Sequence, residues 1–315
     1  MKKKHIHIAC AAGGVLLLFC PFFLNFYWMR VLTNIFMYAT LAQSINIIAG
    51  YTGYPAFGNV VFFGLGAYTT AISMVKYNTG FVTGLFFAII ICILFVLFFG
   101  LPILGLKGHY FAIATLGLNE ATRAIVDNLT DLTGGGMGLS LPLLPGDIGV
   151  NNRIFFYMFF ALMVLCILVT IQLSSSRMGY ALRSIRADEV AAKSMGINTL
   201  KYKTLAWMIS AVFTGIAGGF YAYWMSYIEP AVVFDMTIAI KSFVMFLLGG
   251  SGTILGPILG AFFLELVSTL AWSHLLKFHT GTLGLIIILI IVFMPRGFLS
   301  FLREDRSLSL GSGKE

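Results

Sequence analysis

Charged side chains are scarce in this sequence: Asp, Glu, Lys and Arg make up 10% of its 315 residues, where a soluble domain carries roughly a quarter. With 59% hydrophobic residues and a mean hydropathy of +0.94, too little polar surface remains to solvate a globule. A water-soluble domain is excluded, and disorder and coiled coil fail for the same reason. Cysteine is nearly absent. Cys10, Cys20, Cys92 and Cys166 all lie in apolar runs, where a thiol behaves as a small hydrophobe, and their spacing fits neither a disulfide scaffold nor a zinc site. Catalytic signatures are missing too: there is no HExxH and no GxSxG. The terminal Gly311-Ser-Gly-Lys-Glu315 lacks the earlier glycine and the following Ser or Thr of a phosphate-binding loop, because Leu308 and Glu315 occupy those places. ATP hydrolysis by that route is excluded.

What the sequence does contain is charge-free windows of membrane length. A bilayer core of about 30 Å takes about 20 apolar residues as a helix. The windows predict an all-α, polytopic integral membrane protein of about ten transmembrane helices (eight to ten), some short or broken. The expected spans are 6–26, 31–49, 60–75, 81–106, 110–126, 154–173, 205–227, 238–250, 254–272 and 281–294. The first follows Lys2–Lys4 and is read as a retained span, since it has no small-residue cleavage site and Phe19 is too large to precede a lipidated cysteine. Gly50-Tyr-Thr-Gly-Tyr-Pro-Ala-Phe-Gly58 is dense in turn formers and breaks the long window 31–75. Segments 60–75, 110–126 and 238–250 are short enough to be broken or re-entrant.

The net charge of +8 would suggest nucleic acid in a soluble protein; beside membrane spans it marks topology instead. Residues 2–4, 174–204 and 296–315 hold thirteen basic and five acidic residues, which accounts for the whole excess. These pieces read as cytoplasmic, with both termini inside, and the loops 127–153 and 228–237 read as external.

Few residues offer chemistry. Glu120 and Arg123 share one helix face at i,i+3, either as a pathway or gating pair or as a self-satisfied structural pair. Glu265 stands alone in 254–272, and Lys241 can snorkel only from near a helix end. His109, His274 and His279 sit near span ends without ligand spacing. Two glycine-rich interruptions echo one another across the halves: Gly50, Thr52, Gly53 and Gly58 in one, and Gly249, Gly250 and Gly252 in the other. Such pairs flank the substrate path in transporters or serve close helix packing.

The one polar island, 174–204, holds two short runs of helix formers, 180–186 and 188–195, ending at Gly196. Ala181, Leu182 and Ile185, with Val190, Ala191 and Met195, are expected to form an apolar stripe. A short helix with an Ala-rich face and charged flanks suits a groove on a soluble partner.

Several stretches in order, 50–68, 106–116 with Glu120 and Arg123, 132–140, 179–197 and 248–260, resemble the integral membrane permeases of branched-chain amino acid ABC importers, of the LivM type. The resemblance runs from about Asn46 to Gly297. It implies a single permease domain over 1–300 with a short cytoplasmic tail, 301–315, in an inner membrane. The implied partners are a related second permease, two ABC ATPase subunits and an extracytoplasmic substrate-binding protein, with ATP held by the ATPases and no cofactor in this chain. It implies that 179–197 is the coupling loop, with Arg183, Arg186, Asp188, Glu189, Ala191, Ala192 and Gly196 as its residues. The usual importer pattern of Glu-Ala-Ala followed by Gly is met at Ala191, Ala192 and Gly196, but Val190 stands at the Glu position and no Pro follows. Permeases for urea or short amides share this scaffold. A self-sufficient secondary transporter or channel would need its own ion-coupling carboxylates or a selectivity ring, for which Glu120 and Glu265 are the only buried candidates, and a membrane enzyme would need acidic or His clusters that the sequence lacks.

Overall fold

The computed structural model describes residues 24–106 and 108–274, with the isolated positions Pro21 and Gly284; for 270–274 only the backbone is described. Most of the expected span 6–26, all of 281–294 except Gly284, the tail, Cys10, Cys20, His279 and the side chain of His274 lie outside the described residues.

Ten helices of at least one and a half turns carry the described chain. α1 is Phe26–Ile45, extended by a π-turn through Gly50, and α2 is Val60–Val75. α3 starts at Phe81 and continues through a π-turn to Ile103, and α4 is His109–Asn128. α5 (Ile148–Ser175), α6 (Arg177–Ala187), α7 (Glu189–Ser194) and α8 (Thr199–Met225) follow, then α9 (Met236–Gly249) and α10 (Gly256–His274).

Six stretches among the described residues are long and apolar enough to cross a membrane: Phe26–Gly50, Phe57–Val75, Phe81–Ile103, Ile148–Ser175, Thr199–Met225 and Pro230–Gly249. Two of the segments that looked short reach this length because a preceding turn of helix, 57–59 or 230–233, continues into them. α1 begins before its charge-free window because Arg30, which bounds the window, stacks its guanidinium over the Trp224 ring at 5.5 Å. The segment expected at 110–126 forms as α4 but is too polar to count among the six.

α8 is the central post, and its small residues set how close its neighbours come. A Cβ on Gly66 of α2 would lie 2.0 Å from the Gly215 carbonyl oxygen, and one on Gly218 would lie 2.0 Å from that of Phe63. Only glycine allows this backbone contact between α2 and α8. α1 and α5 join through edge-on rings, Phe36 to Phe156 and Phe160 at 5.2 and 5.3 Å. α9 and α10 pack together against α1.

The bundle has two distinct ends. At one, the two-residue strands β1 (Leu139–Ser140) and β2 (Tyr227–Ile228) pair antiparallel and hold the 128–147 and 226–235 connections together. At the other lie α6 and α7 with the helix breaks at 53–56 and 250–255.

Glu265 does not stand alone, as its place in the sequence suggests, because Lys241 is its partner. Their side chains meet at 2.5 Å, buried between α9 and α10, and Asn34 Nδ2 donates to Glu265 Oε1 at 2.8 Å. Lys241 Nζ also sits 4.5 Å from the Tyr38 ring centroid. Each charge is therefore held by protein and needs no snorkelling. Removing one partner strands the other, so Lys241→Met or Glu265→Gln is expected to cost about 3–5 kcal/mol. The double variant should recover much of that loss in thermal unfolding of the detergent-solubilised protein; two additive losses would contradict the pairing.

Candidate functional site

The polar island folds as an elbow fixed by three side-chain caps. Ser176 accepts from Gly179 N at 3.2 Å to open α6, and Asp188 accepts from Val190 N and Ala191 N at 2.8 and 3.0 Å to open α7. Asn198 accepts from Lys201 N at 3.0 Å to open α8. Asp188 alone separates α6 from α7. Gly196, at φ +82°, ends the second helix in the left-handed conformation that glycine adopts without strain.

The expected apolar stripe divides in two. Ala181, Leu182 and Ile185 of α6 are buried, as is Ala192 of α7, and α6 packs on α5 and α8. Val190, Ala191 and Met195 point outward instead, with Val190 64% and Met195 83% exposed. α6 thus seats the elbow on the bundle, and α7 presents a small apolar face.

Beneath α7 lies a buried ammonium. Lys203 in α8 is 3% exposed and donates to Glu189 Oε1 at 2.8 Å, to the Tyr54 hydroxyl at 2.9 Å and to the Leu104 carbonyl at 3.0 Å. All three of its protons are matched, which is what a buried lysine requires. The Tyr54 hydroxyl in turn donates to Glu189 Oε2. One residue of the first helix break, one of α7, one of α8 and the end of α3 therefore share a single polar knot.

A second tie runs through Arg186. It donates to the Gly50 carbonyl and, at 3.2 Å, to the Ser251 hydroxyl, so the elbow grips both helix breaks. Asn46 joins those breaks directly: its Nδ2 donates to the Thr253 carbonyl at 2.7 Å and its Oδ1 accepts from Gly252 N at 2.8 Å. The π-turn at 46–50 turns Asn46 toward this contact. Gly252 has φ +77°, and a Cβ there would sit 2.6 Å from the Arg186 guanidinium. A side chain at that position would displace the arginine.

Electrostatics fit this arrangement. Burial would raise the Glu189 carboxyl, but hydrogen bonds from Lys203 and Tyr54 and the lysine charge outweigh it and hold the group below its ordinary value. Burial, with the neighbouring Glu189 charge, pushes the Tyr54 hydroxyl well up, so it stays a donor. A depressed carboxylate contributes stability above its unfolded pKa of about 4.3, and loses it as pH falls through the lower native value. The stability difference between the wild type and Glu189→Gln is therefore expected at full size above that range and to vanish below it. A difference that ignores pH would contradict the tie.

The remaining singled-out residues are placed as follows. Gly50 and Gly53 flank the first break, with Gly53 at φ +78° and Thr52 buried between them, its hydroxyl bonded to the Ile48 carbonyl at 2.6 Å. Gly58 meets α4, where a Cβ would lie 1.8 Å from the Thr115 carbonyl oxygen. Gly249 meets Gly256 equally closely, and Gly250, at φ +108°, ends α9. Glu120 and Arg123 stand further along α4, 4.0 Å apart, with Asp127 a further 4.0 Å contact of Arg123. Arg183 donates to the Ser174 carbonyl at 3.0 Å and stacks on Tyr180.

Sequence reasoning missed Tyr54, Lys203, Asn46 and Ser251. Only Lys203 left a trace, as a basic residue five positions into a helix that begins a membrane span. Among the described residues no cluster of three or more His, Cys, Asp or Glu could hold a metal ion.

Residues 27–294 match the family described as branched-chain amino acid transport system / permease component. The chain is 29% identical to the high-affinity branched-chain amino acid transport system permease protein LivM of Salmonella typhimurium, over 93% of this chain and 75% of the relative, and identically so to LivM of Escherichia coli. It is 30% identical to the permease protein LivH of Escherichia coli over 42% of each chain. No solved structure matches. Matched over residues 27–294, this bundle of membrane helices belongs to the branched-chain amino acid transport permease family.

Proposed function

We propose that this chain is the permease subunit of an ABC importer that carries branched-chain amino acids across an inner membrane. It would work with a related second permease, two ABC ATPase subunits and an extracytoplasmic binding protein. The observation that carries the reading is the elbow: α7 presents an exposed apolar face, Glu189 ties it to the first helix break through Tyr54, and Arg186 of α6 reaches both breaks. The family match supports the transport class and the substrate.

In this reading α6 and α7 lie on the cytoplasmic side, both termini lie there too, and α7 docks in a cleft on an ATPase. ATP stays on that partner, and this chain needs no cofactor. Closure of the ATPases moves α7 by favouring one docked geometry over another, since a ligand shifts an equilibrium only by its differential contact energy. The knot at Lys203 and the Arg186 tie pass the movement to 50–58 and 249–252. Gly50, Thr52, Gly53, Gly58, Gly249, Gly250 and Gly252 then belong to elements that move with the path, and Glu120 and Arg123 stand beside it on the exposed face of α4. Pairing of Glu265 with Lys241 and Asn34 argues against its service as a free ion-coupling carboxylate.

The test is reconstitution in liposomes. The full complex with binding protein should take up leucine only with ATP, and this chain alone should take up none under a proton or sodium gradient. Uptake by the lone chain under such a gradient would sink the importer reading.

A further inference from the structure

The bundle shows two kinds of exposed face at membrane depth, and they call for different surroundings. Along α3, Phe86, Leu94 and Phe98 are 61%, 41% and 73% exposed, and no charge occurs from Phe81 to Ile103. Such a face is at home in hydrocarbon. α4 differs. It runs the length of the bundle: near its start Phe111 packs on Tyr54 and Trp207, and near its end the Val126 carbonyl accepts from Thr133 beside the β1 connection. Its buried face is Phe111, Ala112, Thr115, Asn119, Thr122 and Val126. Among the described residues nothing covers the opposite face.

That bare face carries Glu120, with a side chain 50% exposed, and Arg123 and Asp127 at its border, 35% and 38% exposed. Glu120 lies eight residues before the helix end, about 12 Å inward at 1.5 Å per residue. Among the described residues, two contacts at 4.0 Å leave these three groups incompletely paired. Ionised groups at this depth facing lipid are strongly disfavoured and normally turn to protein or a water-filled cavity. The same face holds Gly117, whose Cβ position meets nothing within 4 Å, with Ala121 and Ala124 exposed beside it. Small residues four apart admit a second helix at close range.

We infer that the exposed face of α4, from Ile113 to Ala124, is where the related second permease seats against this chain. The occupant must itself lie in the membrane, because the face lies between the two ends of the bundle, and it must supply polar groups to Glu120 and Arg123. A second permease of the same scaffold satisfies both demands, and this chain shares sequence with relatives of both permease types. ATPases and a binding protein would meet only the ends. The inference rests on the multi-subunit reading above.

Photo-crosslinking in membranes expressing the whole complex tests it. Benzoylphenylalanine is placed singly at Ile113, Gly117 or Ala124 of α4, and at Phe86 or Phe98 of α3 as lipid-facing controls. The expected result is an adduct shifted to the summed mass of the two permeases from the α4 positions, with none from α3. Lipid adducts alone, no adduct, adducts between two copies of this chain, or second-permease adducts from α3 would each overturn the assignment. Co-purification of the unsubstituted complex separates the two levels. If the second permease co-purifies while α4 yields no adduct to it, only the assignment of this face falls. If it does not co-purify, the multi-subunit reading falls and the assignment with it.

Discussion

Glutamate at Val190 or Ala191 is expected to abolish ATP-driven uptake while leaving the permease folded and in the membrane. Both positions face solvent on α7, and neither supports the bundle. Glutamate is a good helix former, and near the start of α7 it is compatible with the helix dipole, so the elbow itself survives the change. What changes is the contact. An unpaired carboxylate pressed into an apolar cleft costs about 1–3 kcal/mol, which weakens docking by roughly five- to 150-fold. Ala192 is a different case despite its adjacency, because it is 4% exposed. Ala192→Glu should lower thermal stability as well as uptake, and so separates a packing defect from a docking defect. Wild-type uptake and wild-type stimulation of the ATPases in Val190→Glu and Ala191→Glu would remove α7 from the ATPase contact.

The parts of this molecule that depend on neighbours in sequence were legible in advance. The break at 50–58 follows from its Gly and Pro content, and the stop at Gly196 follows from the residue that best adopts positive φ. The placement of 127–153 and 228–237 on one side matches the β1–β2 pairing, which brings those connections together. Long-range pairs were not legible. Lys241 and Glu265 belong to different helices, Tyr54 and Lys203 are 149 residues apart, and Asn46 reaches a backbone 206 and 207 residues away. Nothing local in a sequence marks such partners, because the bilayer makes nearly every position in a span apolar and erases the periodic signal that would orient each helix. Nor was it legible which side of α7, in the polar island, turns outward. Val190, Ala191 and Met195 are a valid stripe by spacing, but whether a stripe faces the bundle or a partner depends on where α6 seats the elbow.

Lys203→Met should uncouple ATP hydrolysis from uptake. The substitution keeps the apolar stem and removes the ammonium that three acceptors share. Glu189 then faces the Tyr54 ring region without its counter-charge, and the Leu104 carbonyl loses its donor. Removing one partner of a buried ion pair costs about 3–5 kcal/mol, and the low end applies here because the Glu189 side chain is 20% exposed and water can reach it. The loss falls on the elbow, since α1, α2, α5 and α8 pack through contacts that do not involve Lys203. α7 would still meet the ATPase through Val190 and Ala191, so hydrolysis persists. Its displacement would then reach the breaks only through Arg186, and uptake drops. The double variant Lys203→Met with Glu189→Gln restores charge balance without restoring the tie: it should recover stability but not uptake. Lys193→Met, one turn along α7 and exposed, serves as the neutral control. Stability and uptake that recover together in the double variant would make Lys203 a structural residue only. Recovery of stability alone identifies the knot at Tyr54, Glu189 and Lys203 as the joint through which the cytoplasmic helix drives the bundle.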